Sequence, residues 1–234
     1  MGSPVYAAST PATPQGFDPS QVQGPYGKFR KNGLLKGALV LFLIVQALTA
    51  AYVSGYLNSL KMKSLTDIDA AYQHESTPLD NTMQVASAAQ ASIALLVIIL
   101  FAVWTVRVSK NGWLLDAPKM STTPPWSVAF YIVPVLCFWK PYNAMQEIRN
   151  ASCGQRDTLK KALPLWWTCA IITLALGLLS GYLFTQVRDQ SDYLSAGKLL
   201  FISSPLQVLL CYLTIVVISG ITRAQNQKFS QWRP

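Results

Sequence analysis

Residues 126–139 read WSVAFYIVPVLCFW, an uncharged stretch with Pro134 near its middle, Pro124 and Pro125 just before it and Pro141 just after it. Its threading decides the fold, because it is the apolar run whose crossing of a bilayer is in question. A hydrocarbon core about 30 Å thick takes ~20 apolar residues in a helix, and runs of about 10 to 14 more often re-enter or lie in the interface. Proline also withholds a backbone donor that lipid does not replace. The stretch is therefore expected to dip in and return, or to lie flat, without crossing.

Outward from it lie four runs of spanning length. Residues 37–60, 81–106, 162–187 and 199–222 contain no charged side chain, and spans are expected at about 36–58, 84–106, 163–187 and 199–222. The first run holds ten Leu, Ile, Val or Phe between Gly37 and Leu57, worth roughly −3 to −6 kcal/mol on insertion. Trp104, Trp166, Trp167 and Tyr182 stand near run ends, where amphipathic rings favour the interface. The whole chain of 234 residues is 51% hydrophobic and 12% charged, with mean hydropathy +0.29. A soluble domain carries roughly 25% charged residues. A soluble fold, a fully disordered chain and a scaffold of disulfides are all excluded.

Charge sets the orientation. With both termini cytoplasmic, 15 of the 19 Lys and Arg fall on the inner side, and the outer loops keep Lys61, Lys63, Arg188 and Lys198. Positive charge stays inside during insertion, and a fifth crossing would weaken that asymmetry. The fold class is thus an all-α integral membrane protein: a four-helix transmembrane bundle over residues 34–223, with a proline-rich re-entrant or interfacial element, 124–150, between spans two and three. Residues 1–30, rich in Pro, Ser, Gly and Gln, are expected to form a disordered cytoplasmic tail, and 224–234 a second cytoplasmic tail.

Within the 107–161 loop, Pro141 suits the first turn of a helix, and Tyr142, Met145 and Ile148 recur at threefold spacing. A short amphipathic helix at the inner interface is expected there. The segments NGWLLDA and TPPWSVAFYIVPVLCFWKPYNAMQEI carry Asn111, Pro125, Trp126, Pro134, Lys140, Pro141, Tyr142, Ala144, Met145 and Glu147. In these the chain resembles the bacterial membrane family called domain of unknown function 4328. The resemblance implies the architecture and a bacterial plasma membrane, and no activity.

Chemistry-bearing groups are sparse. His74 is the only histidine, and one histidine makes neither a haem pair nor a usual zinc site; it is expected on the surface of the outer loop. Cys137, Cys153, Cys169 and Cys211 form no C-x-x-C and are expected to behave as small hydrophobes. No metal or cofactor is expected. The spans contain no ionisable group of the kind that coupled transporters retain. Small residues recur every four positions at Ala47, Ala51 and Gly55, and again at Gly177 and Gly181, a spacing that lets helices approach closely, within the bundle or against a partner.

These features lead to a non-enzymatic accessory or structural protein that packs against partner proteins, a second copy or lipids. Its basic inner rim would attract anionic headgroups, and nucleic-acid binding has no support. The candidate ligand, lipid or partner contacts are Trp126, Pro134, Trp139, Lys140, Pro141, Tyr142, Met145, Glu147 and Arg149. The alternative is a membrane-embedded enzyme or lipid-handling protein with its site on the cytoplasmic face near 124–150.

Overall fold

The structure, a computed structural model, describes residues 23–67, 78–153, 159–188 and 190–231. His74 and the first 22 residues of the expected tail lie outside the described residues. Helix α1 (Gly33–Ala50) runs through a π-helical turn (Ala51–Leu57) into α2 (Asn58–Asp67). It is followed by α3 (Pro78–Asp116), the one-turn α4 (Trp126–Ala129), α5 (Lys140–Ser152), α6 (Leu159–Thr185) and α7 (Gln190–Ser230). Among the described residues four helices are long and apolar enough to cross a membrane: Gly33–Ser64, Pro78–Lys119, Leu159–Thr185 and Ser191–Ser230. The all-α bundle read from the uncharged runs is the observed architecture.

Local chemistry sets the ends. Pro78 opens α3 with Asp80 in the first turn, where a missing donor costs nothing and a carboxylate meets the positive end of the helix dipole. The helix ends at Asp116, whose φ −164° and ψ 70° leave the helical path, and a 3-10 turn (Ala117–Lys119) carrying Pro118 follows. At about 1.5 Å per residue the 39 residues of α3 reach ~58 Å, well past the span expected at 84–106.

Helices α1 and α7 pack together at the centre, with α3 along α1 and α6 along α7. Their core sits toward one end of the bundle. Leu39, Leu43, Trp104, Val108, Leu163, Trp166, Val217, Ile218 and Ile221 meet there with Met145, Ile148 and Ala151 of α5. Two buried indoles are satisfied across helices: Trp104 Nε1 donates to Thr222 Oγ1 at 3.1 Å and Trp166 Nε1 to Thr214 Oγ1 at 3.0 Å. The buried stripe of the first span runs from Leu39, Leu43, Gln46 and Ala50 through the π turn, where Val53, Ser54 and Leu57 are buried. At its start Ser204 Oγ of α7 donates to the Ala50 carbonyl at 3.3 Å.

The structure corrects both expected tails. Residues 23–30 are folded: Gln23–Gly24 and Gly27–Lys28 form a small antiparallel hairpin. Tyr26 packs edge-on against Trp113, and Phe29 stacks on Phe229 at 3.9 Å. Residues 224–230 continue α7 as helix, with Gln225 and Phe229 buried. These aromatic and polar contacts fix both segments, and composition alone did not reveal them.

Residues 126–139 form no spanning helix. They fold as α4, successive turns and a single 3-10 turn (Leu136–Phe138). Val135 sits at φ 67°, ψ −53°, with Leu136 N–H donating to the Pro134 carbonyl at 2.8 Å. That is a γ-turn centred on a β-branched residue at positive φ, a strained geometry.

Candidate functional site

The 124–150 element divides into a docked half and a bare half. Helix α5 buries Pro141, Ala144, Met145, Ile148, Ala151 and Ser152 against α3, α6 and α7. Its apolar face is therefore spent on the protein's own core, and Met145, fully buried, is no surface contact; nor is Pro141. The buried face holds Met145 and Ile148 of the threefold stripe and is wider than that stripe, with Ala144 and Ala151 beside them and Tyr142, partly buried, at its edge. Tyr142 Oη accepts from Gln146 Nε2 at 2.7 Å.

Glu147 is a loop anchor. It accepts from Ser121 N–H at 3.0 Å, Ser121 Oγ at 2.5 Å and Thr122 N–H at 2.8 Å. Burial by itself raises the carboxyl's pKa, but these hydrogen bonds outweigh it and hold the group below the usual carboxylate range. Trp113 Nε1 secures the same loop through the Thr122 carbonyl at 3.0 Å. Arg149 reaches Asn150 Oδ1 at 2.8 Å.

The bare half presents Trp126, Ile132, Val135, Phe138 and Trp139 as exposed apolar side chains, Ile132 at 81% exposure. Pro134 and Lys140 are exposed among them. The Lys140 ammonium lies 5.7 Å from the Phe130 ring centroid, a cation–π distance. Trp167 Nε1 of α6 donates to the Phe138 carbonyl at 2.9 Å and ties this half to the bundle.

The small-residue positions separate in the same way. Ala47 packs against the core, Ala51 is exposed, and a Cβ added at Gly55 would lie 3.3 Å from Ser204 Oγ. Gly55 thus marks a close approach of the first span to α7. Gly177 and Gly181 are exposed, and an added Cβ at either meets nothing within 4 Å. Beside them Leu174, Leu178, Leu179 and Tyr182 are exposed, as are Val85, Leu95, Ile98 and Ile99 on α3.

Sequence reading missed a buried polar network at the core end. Asn111 accepts from Arg30 N–H at 3.1 Å and donates to the Arg30 carbonyl at 2.9 Å and to Gln225 Oε1 at 3.1 Å. Gln225 donates in turn to the Val108 carbonyl at 2.9 Å and Ser152 Oγ at 3.0 Å. Lys228 bridges Asp116 and the Ala151 carbonyl. Between the start of α1 and the end of α7 an open cleft of about 550 Å³ is lined by Lys36, Arg223, Asn226, Gln227 and Ser230. Among the described residues no group of three metal-ligating side chains converges.

Four long apolar helices joined by polar caps, with large apolar flanks left uncovered, define a membrane protein. Within that class the chain belongs to the family described as Domain of unknown function (DUF4328), whose model matches residues 70–223. The match takes in the Asn111 anchor, the Pro-Trp entry at Pro125 and Trp126, and the Lys140-Pro141-Tyr142 exit. No curated protein and no solved structure matches the chain significantly.

Proposed function

We propose that the chain is a non-enzymatic accessory or structural protein of the bacterial plasma membrane. In this reading it crosses the membrane four times with both termini cytoplasmic and packs against a partner's helices, a second copy or lipids. One observation carries the reading: α6 is a 27-residue apolar helix on which a Cβ added at Gly177 or Gly181 meets, among the described residues, no atom of another element within 4 Å. Small residues in lipid serve close helix approach, and the protein's own bundle leaves this face unused. The loop carboxylate that an inner-face enzyme would draw on, Glu147, is committed to holding residues 121 and 122.

Lipid handling by the 126–139 segment is the second reading, favoured by its exposed Trp126, Phe138 and Trp139 beside Lys140. Purification of the full chain in mild detergent, followed by mass spectrometry of what accompanies it, separates the two. A protein companion or second copy at fixed stoichiometry is the expected result. A monomer that retains a small molecule or a defined lipid, released by Trp139→Ala, overturns the partner reading in favour of the second.

A further inference from the structure

Under the N-terminal hairpin, at the core end of α3, lies a recess of about 80 Å³. Lys28 and Arg30 line it from the hairpin side and Arg107 and Lys110 from α3, with Tyr26 and Asn111 completing the wall. Four cations share this space and, among the described residues, no carboxylate lines it. Elsewhere among the described residues Asp80 pairs with Lys61, and Asp116 with Lys119 and Lys228. Glu147 holds Ser121, and Asp192 accepts from the Arg188 N–H.

The recess is held in shape by buried structure. Asn111, 2% exposed, uses its carbonyl oxygen and both amide hydrogens on Arg30 and Gln225. It therefore fixes the wall and is left with no donor for a ligand. Gly27 turns the hairpin at φ +108°, and Gly24 sits so close that an added Cβ would lie 2.9 Å from Leu114 Cδ1 of α3. The positions of Lys28 and Arg30 relative to Arg107 and Lys110 are thus set by the fold.

We propose that this recess binds a single phosphate group. Two arginines and two lysines on the wall of one small recess supply the guanidinium and ammonium donors that recognise a tetrahedral oxyanion. Its volume of about 80 Å³ is well below the roughly 300–1,000 Å³ of pockets that take drug-sized ligands and suits a small polar group. Arg107 directly follows the apolar run that ends at Val106, so a lipid phosphodiester and a free phosphate both reach the site. The proposal is independent of whether the α6 face binds a partner.

The test uses the full chain in two arms. In one arm it is exchanged into dodecyl maltoside, which carries no phosphate, and titrated with inorganic phosphate by calorimetry; in the other, lipid nanodiscs containing phosphatidylglycerol are examined by native mass spectrometry for retained lipid. Saturable binding of one equivalent is expected: phosphate bound in maltoside assigns a free anion, and retained phosphatidylglycerol without phosphate binding in maltoside assigns a headgroup. Lys110→Gln is expected to weaken that binding about tenfold, and Arg107→Gln with Lys110→Gln further, while Lys160→Gln with Lys161→Gln leaves it unchanged. Lys110 is exposed, so its single variant keeps the test valid if the double variant fails to fold. Absence of saturable binding in both arms, or equal loss in the Lys160 and Lys161 variant, overturns the proposal.

Discussion

Glu147 gathers two backbone N–H groups and one hydroxyl from Ser121 and Thr122, and its worth to the fold follows from that arrangement. Hydrogen bonds to a charged acceptor contribute about 1.5–3 kcal/mol each when buried. Glu147 is half-buried, so Glu147→Gln is expected to cost about 1–2 kcal/mol in thermal or denaturant melts at pH 7. Its folded pKa is lowered, so the carboxylate's stabilisation is present above the unfolded value and is lost as pH falls through the folded one. The gap between wild type and Glu147→Gln should therefore narrow below about pH 4.5; a gap constant from pH 7 to 3 would sink this account. Val135 poses the opposite case. A β-branched residue at φ 67° carries about 1–3 kcal/mol of strain, and glycine adopts that geometry freely at some entropic cost. Val135→Gly is expected to raise the melting free energy by up to about 1 kcal/mol, measured in the same detergent.

At the scale of elements, Asn111 of α3 bonds Gln225 of α7 and also clasps the hairpin through Arg30. Asn111→Ala orphans Gln225 Oε1 and both backbone groups of Arg30, at about 1–3 kcal/mol for each group left dry. The expected outcome is release of residues 23–30 to proteolysis together with a lower melting temperature; an unchanged cleavage pattern would show that the ring contacts at Tyr26 and Phe29 suffice. This part of the fold was illegible in the sequence. The Arg30–Asn111 contact joins positions 81 apart, and a stretch such as QGPYGKFR has turn residues but no apolar period to announce a docked hairpin. The long helices were legible because charge is expelled from ~20 residues at a time. Their extensions to Asp116 and Ser230 were not, because outside lipid a helix is free to carry Arg107, Lys110 and Lys228. The width of the buried face of α5 was illegible for a related reason: beyond Met145 and Ile148 it includes the small Ala144, Ala151 and Ser152, which hydrophobicity counts overlook.

For the whole molecule, the same residue spacing has opposite meanings on different helices, and only the assembled bundle separates them. A Cβ added at Gly55 would lie 3.3 Å from Ser204 Oγ of α7, whereas one added at Gly177 or Gly181 meets, among the described residues, no atom of another element within 4 Å. Sequence could therefore supply the pattern of close-approach residues but not its use, since use depends on which flank α1 and α7 leave uncovered. This asymmetry gives a prediction in which stability and association move in opposite directions. Leucine at an exposed helical position is favoured over glycine by about 0.8–1 kcal/mol. Gly177→Leu with Gly181→Leu should thus leave the isolated chain as stable as wild type or more so. The added branches would at the same time hold a second helix away from the α6 backbone and weaken packing that depends on close approach. Melting in detergent reads the first effect, and crosslinking between copies, or to companions, in native membranes reads the second. A raised or unchanged melting temperature with loss of the crosslinked species is the expected pair. A lowered melting temperature would mean that the face is buried within the chain itself, and undiminished crosslinking would place the contact on another flank, such as Val85 to Ile99 of α3.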